Sequence, residues 1–176
     1  MIKWFRNVVL NRIYKSTIRS APKFEKRKNS EVLKSISILL DHRLGVDKEN
    51  FKKMGEVFKL PRQNIRVLTY YSYQKEIDET NLHSSYTKKD ISNWGAMNGV
   101  LDDFCSYKSD VLINYYDKND IHLKYISLKA NRKLSIGFES VDHAVNDLIL
   151  DVKAENTDLF VNECIKYLKI FFTYKK

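Results

Sequence analysis

Residues 35–71 read SISILLDHRLGVDKENFKKMGEVFKLPRQNIRVLTYY, and the order of patterns in this stretch decides the fold. Ser35–Leu40 is a β-branched, largely apolar run ending at Asp41, as expected of a buried strand. Asp47 is placed to cap a helix over residues 48–59, whose Phe51, Met54, Val57 and Phe58 fall inward. Pro61 stops that helix, and Ile65–Tyr71 forms a second strand. Two apolar strands joined by a helix of this length predict a parallel pair with a helical crossover.

The same rhythm continues toward the C-terminus. Met97, Val100, Leu101 and Phe104 follow helical spacing over residues 95–107, and Asp110–Tyr116 is a third strand. Asp120 begins a helix through about residue 130, with Ile121, Tyr125 and Leu128 inward. Leu134–Phe138 and Asp147–Val152 supply a fourth and a fifth strand, and residues 156–172 a closing amphipathic helix. The expected fold is α/β: a three-layer sandwich with a mostly parallel five-stranded sheet, flavodoxin-like or Rossmann-like, plus an N-terminal basic helix. Residues 72–92 are polar and too long for an ordinary connection, so they are expected to be mobile or functional.

Toward the N-terminus the pattern changes. Residues 2–19 are expected to be helical, with Ile2, Phe5, Val9 and Ile13 on one stripe and Leu10, Tyr14 and Ile18 on another. Two apolar stripes suit a helix that docks on protein surfaces better than one lying in a membrane interface. Ala21 and Pro22 end it, and a charged linker follows. The chain is thus divided into a basic arm over residues 1–30 and a single α/β domain over residues 31–176.

The arm holds nine cations: Lys3, Arg6, Arg12, Lys15, Arg19, Lys23, Lys26, Arg27 and Lys28. Glu25 is its one acid, so it carries +8 of the chain's net +9. A basic arm on a nearly neutral body points to a polyanion, and these nine residues are the candidate nucleic-acid contacts. The plain alternative is a solvated extension that aids solubility.

Catalytic signatures are absent. Cys105 and Cys164 form no CxxC pair and read as small core residues of a reducing compartment. The five glycines are isolated, so neither a dinucleotide fingerprint nor a P-loop is present. His42, His83, His122 and His143 make no HExxH pair and no GxSxG elbow exists. No cofactor or metal is expected on these grounds, and no motif identifies a small-molecule ligand. Ligands of open parallel sheets sit beyond the carboxyl ends of the strands. That places Asp41, Ser72, Asp117 and Glu139 in a candidate strand-end pocket, with His42 and Asp151 beside them. Capping of the following helices is the simpler role for these aspartates. Tyr70, Tyr71, Tyr73, Tyr86 and Trp94, near Lys75, Lys88 and Lys89, either stack on unpaired bases or pack the core.

The order SISILLD, IRVLTYY, TKKDISNWG, SDVLINYY, YISLKANRKLSIGF and NDLILDV resembles a bacterial family of small basic proteins known only as a domain of unknown function. The resemblance covers most of the chain and is most distinctive at residues 88–95 and 130–137. It implies a cytoplasmic bacterial protein and transfers no catalytic residue. A shorter stretch, residues 110–116 and 130–138 with the helix between them, is similar to the acceptor-side half of heptosyltransferase-type glycosyltransferases. That likeness implies kinship of fold.

The expected function is a non-catalytic cytoplasmic binding protein, associated with RNA or the ribosome through the arm. One alternative is a membrane-peripheral adaptor that inserts Ile2, Trp4, Phe5 and Val9 into anionic lipid. Another is a small sugar- or nucleotide-handling enzyme remnant of glycosyltransferase type. A protein partner is a further expectation for the docking helix.

Overall fold

The computed structural model describes residues 2–20, 31–97 and 99–173, with side chains of the first helix from residue 7 to residue 18. Lys23, Lys26, Arg27 and Lys28 lie outside the described residues. Lys3, Arg6 and Arg19 are placed in the helix by their backbone.

Six strands form one sheet: β1 (Ile36–Asp41), β2 (Ile65–Tyr71), β3 (Ser85–Thr87), β4 (Ser109–Tyr115), β5 (Arg132–Phe138) and β6 (Leu148–Leu150). They are ordered β3-β2-β1-β4-β5-β6 and every pairing is parallel. This corrects the expectation of five strands. The missed strand is β3, three residues inside the polar stretch 72–92, too short to show any period. It is held as an edge by Tyr70 pairing with Tyr86. The order 3-2-1-4-5-6 is that of doubly wound dinucleotide-type sheets and differs from the 2-1-3-4-5 flavodoxin order.

The helices are α1 (Ile2–Ser20), α2 (Lys52–Phe58), α3 (Val100–Ser106), α4 (Ile121–Lys129) and α5 (Thr157–Phe171). Successive residues of β4 show how the layers divide. Tyr115 meets Phe51, Phe138 and Phe160 edge-on at centroid distances of 5.0–5.1 Å, on the face covered by α2 and α5. Asn114 points the other way and accepts a hydrogen bond from Ser127 of α4 at 2.9 Å. All of β1 is buried because it lies between β2 and β4 with both faces covered, which explains why it is apolar apart from Ser37 and the terminal Asp41.

The helix α1 lies against α4. Leu10 and Tyr14 are buried, and Ile13 and Ile18 pack partly on the core. The Tyr14 hydroxyl donates to Asp142 at 2.7 Å, while the Lys124 ammonium sits 4.6 Å from the Tyr14 ring centroid. Burial, then the hydrogen bond and charge of Asp142, push the Tyr14 phenol well above its ordinary range. The stripe Leu10-Tyr14-Ile18 is therefore spent on the chain's own body.

The stretch 72–92 consists of short 3-10 turns around β3. Thr87 and Asp90 cap each other, with the Thr87 amide donating to the Asp90 carboxylate at 2.7 Å. Tyr86, in the middle of the stretch, is buried.

Candidate functional site

The sheet order reverses between β1 and β4, and in such sheets the crevice beyond the carboxyl ends at that point is where ligands sit. Asp41 closes β1 and is buried at 1% exposure. It caps the following turn by accepting from the Arg43 amide at 3.0 Å. The Arg43 side chain folds back onto it, with Nε at 2.8 and 3.0 Å and Nη2 at 2.6 Å from the carboxylate oxygens. Nη2 also reaches Asp120, across the switch point, at 3.1 Å. Hydrogen bonding to Asp41 outweighs burial and keeps the guanidinium charged.

Asp120 stands at the start of α4 for a local reason: its Oδ1 accepts the amide of His122 at 2.9 Å. The same oxygen lies 3.1 Å from Nδ1 of the His122 ring. Burial alone would raise the Asp120 carboxyl. The side-chain and backbone hydrogen bonds from His122 and the charges of His122 and Arg43 overcome it, holding the group at about 2. The carboxylate is thus ionised and can only accept, so Nδ1 carries the proton. His122 is 7% exposed, and its Nε2 has no hydrogen-bond partner among the described residues.

Arg43, Tyr70, Ser72, Lys88, Asp120 and His122 line a crevice of about 300 Å³. Asn7 of α1 and Tyr73 complete its rim. Tyr70 forms the wall, with the Arg43 guanidinium 5.3 Å from its ring centroid and the His122 ring nearly parallel at 6.2 Å.

Of the four strand-end residues expected together, only Ser72 lines this crevice, and Asp41 is buried behind it under Arg43. Asp117 and Glu139 follow β4 and β5 and do not line it. One Asp117 carboxylate oxygen is buried without a partner among the described residues, and the Asp117 carbonyl accepts from Ser140 at 3.0 Å. Glu139 is exposed, its carbonyl receiving His143 Nε2 at 3.0 Å. His42 stacks on Tyr71 at 4.1 Å, and Asp151 is exposed beyond β6 at the far edge. Among the described residues, no three His, Cys, Asp or Glu side chains are grouped to hold a metal ion. Sequence reasoning missed Arg43 and His122, and took Asp120 only as a helix start. The available signal was spacing: Asp41 and Arg43, like Asp120 and His122, each stand two residues apart at a strand-to-helix turn.

The aromatic set divides in two. Tyr70, Tyr71 and Tyr86 are buried, whereas Tyr73 and Trp94 stand 57% and 73% exposed. Lys75 and Lys88 approach the Tyr73 ring at 6.0 and 5.6 Å. A second polar surface lies on α1, where Arg12 and Lys15 are exposed on the side away from α4. No helix among the described residues is long and apolar enough to cross a membrane.

Because the folded Asp120 carboxyl lies below its ordinary value, its stabilisation is complete above about pH 4 and lost as pH falls toward 2. Asp120→Asn should cost about 2 kcal/mol near pH 6, with allowance for solvent screening, and nearly nothing near pH 2. Urea-unfolding midpoints of both proteins across that range test this. A gap independent of pH would contradict the assigned carboxylate.

Fold and crevice together define a doubly wound, all-parallel α/β protein with an ionic cluster at its switch point. The chain belongs to a family of unknown function, DUF6913, whose model matches residues 6–171 and so takes in most of α1 with the sheet. No curated protein and no solved structure matches, so the heptosyltransferase likeness of residues 110–138 has no counterpart there.

Proposed function

We propose that this is a non-catalytic RNA-binding protein of the cytoplasm, associated with the ribosome, that presents the basic face of α1 to phosphates. One observation carries the reading: α1 is held by buried Leu10 and Tyr14, while Arg12 and Lys15, interleaved with them, are exposed. A fixed helix displays its cations in a set geometry, which lowers the entropy lost when they meet a phosphate backbone. Phosphate contacts position a protein without reading sequence, as an ionic helix face would. Arg19 and the four cations of residues 23–28 extend the same charge along the chain.

The test is fluorescence anisotropy with a ribosomal RNA fragment between about 50 and 200 mM salt. Arg12→Glu with Lys15→Glu should weaken binding at least about tenfold and flatten the salt slope by about 1.5, at 0.7 to 0.9 per lost contact. Both positions are exposed, so the fold should survive. Equal binding by wild type and double variant, or no binding by either, would refute the proposal.

A further inference from the structure

We propose that Trp94 stacks on a base of the RNA whose phosphates meet α1, so that the chain takes single-stranded RNA in preference to duplex. The inference rests on the RNA-binding reading above and adds to it a contact with a base.

The first observation is the ring itself. At 73%, Trp94 is the most exposed large apolar side chain among the described residues. Its neighbours Ser92 and Asn93 are exposed and polar, so within the turn the ring is not the centre of an apolar patch of the kind that covers a protein interface. A single indole face set among polar groups suits a nucleic-acid base, since every base has a π-face to stack on it.

The second is the support beneath it. Ser92 Oγ accepts from the amides of Trp94 at 3.3 Å and Ala96 at 2.9 Å, and the Ser92 amide donates to the Ala96 carbonyl at 2.9 Å. Ile91 and Met97 close the turn as an antiparallel bridge. Gly95 is left-handed, at φ 81°, and its carbonyl accepts from the Tyr125 hydroxyl of α4 at 2.6 Å. The backbone that carries Trp94 is thereby fixed before any RNA arrives, which lowers the ordering entropy lost on stacking.

The third is position relative to the cations. A Cβ at Gly95 would come within 2.9 Å of Ile13 Cδ1, so the turn abuts α1. At about 100° per residue, Leu10 and Tyr14 lie on one side of Ile13 and Arg12 on the other. The turn therefore meets α1 where its buried stripe gives way to exposed Arg12. A strand whose phosphates lie on Arg12 passes this turn, and a base can offer its face to the ring only where it is not stacked inside a duplex.

Fluorescence anisotropy of the full chain with one labelled ribosomal RNA fragment, single-stranded or annealed to its complement, tests the assignment. The single strand should bind at least about tenfold tighter than the duplex. Trp94→Ala should weaken the single strand about tenfold, leaving duplex binding, the salt slope and the melting temperature unchanged, and Trp94→Phe should retain most of the affinity. In the Trp4→Phe protein Trp94 is the one remaining indole, and the single strand should quench its emission while the duplex does not. That quenching is read with Trp94 intact, so it decides the matter should Trp94→Ala lose stability. Wild-type affinity in Trp94→Ala, while Arg12→Glu with Lys15→Glu still weakens binding, would overturn base stacking and leave the phosphate reading standing. Equal affinity for strand and duplex, or unquenched emission, would overturn it too. Binding of neither RNA would overturn both readings.

Discussion

Leu10→Ala should destabilise the protein by about 3 kcal/mol, within the range for truncating a buried leucine. The side chain has no exposed surface, and it sits on α1, outside the sheet-forming part of the chain. A helix lying loosely on the body would tolerate the change, because the space left by the leucine would close. A helix held on one side by Tyr14 and Asp142 and on the other by α4 cannot close that space fully. Val8→Ala, at 37% exposure on the same helix, is the control and should change stability by less than about 0.5 kcal/mol. Urea denaturation of the three proteins decides the matter. Equal midpoints for Leu10→Ala and wild type would mean that α1 is an appendage.

Gly137→Ala should be about as severe, near 3 kcal/mol, for a different reason. The residue lies in β5 with an unremarkable φ, so backbone freedom is not what requires glycine there. A Cβ at this position would come within 2.3 Å of the Asn146 amide nitrogen and 2.6 Å of its carbonyl oxygen. Asn146 is buried and its carbonyl oxygen accepts from the Asn114 amide at 2.8 Å. To admit a methyl group, Asn146 must swing away and leave Asn114 without that bond in a dry interior. Pairing Gly137→Ala with Asn146→Ala should recover part of the loss, because the obstructing amide is gone. Two variants whose effects simply add would show that the clash is not the cause.

The strands were readable where burial imposed a mostly apolar, β-branched run. Ile65–Tyr71 has its observed boundaries in the sequence, and Ser35–Leu40 and Asp110–Tyr116 are offset from theirs by one residue. The capping residues Asp47 and Asp120 were readable as well, since a side chain that accepts its own helix's amides acts within three residues. β3 was not readable. It is a strand only because β2 offers it an edge to pair with, and three residues carry no pattern of their own. The pair of apolar stripes on α1 foretold a docked helix but not the surface it meets.

The candidate site divides along the same line. Asp41 and Ser72 were legible as strand-end residues, because position along a strand sets which end they reach. Arg43 and His122 were not, since each gains its role from a contact across the switch point. Arg43 reaches Asp120 over 77 positions of sequence, and Asp117 and Glu139, equally placed by their strands, remain outside the crevice.

By itself the sequence determined an α/β chain of alternating apolar strands and helices, with its net charge gathered in the N-terminal thirty residues. Those features follow from local periodicity and from composition, which any chain carries before it folds. Only the tertiary structure decided the sixth strand, the order 3-2-1-4-5-6, the seating of Leu10 and the joining of Asp41, Arg43, Asp120 and His122. Each depends on which distant segments share an edge or a face, and short-range pattern does not encode that choice.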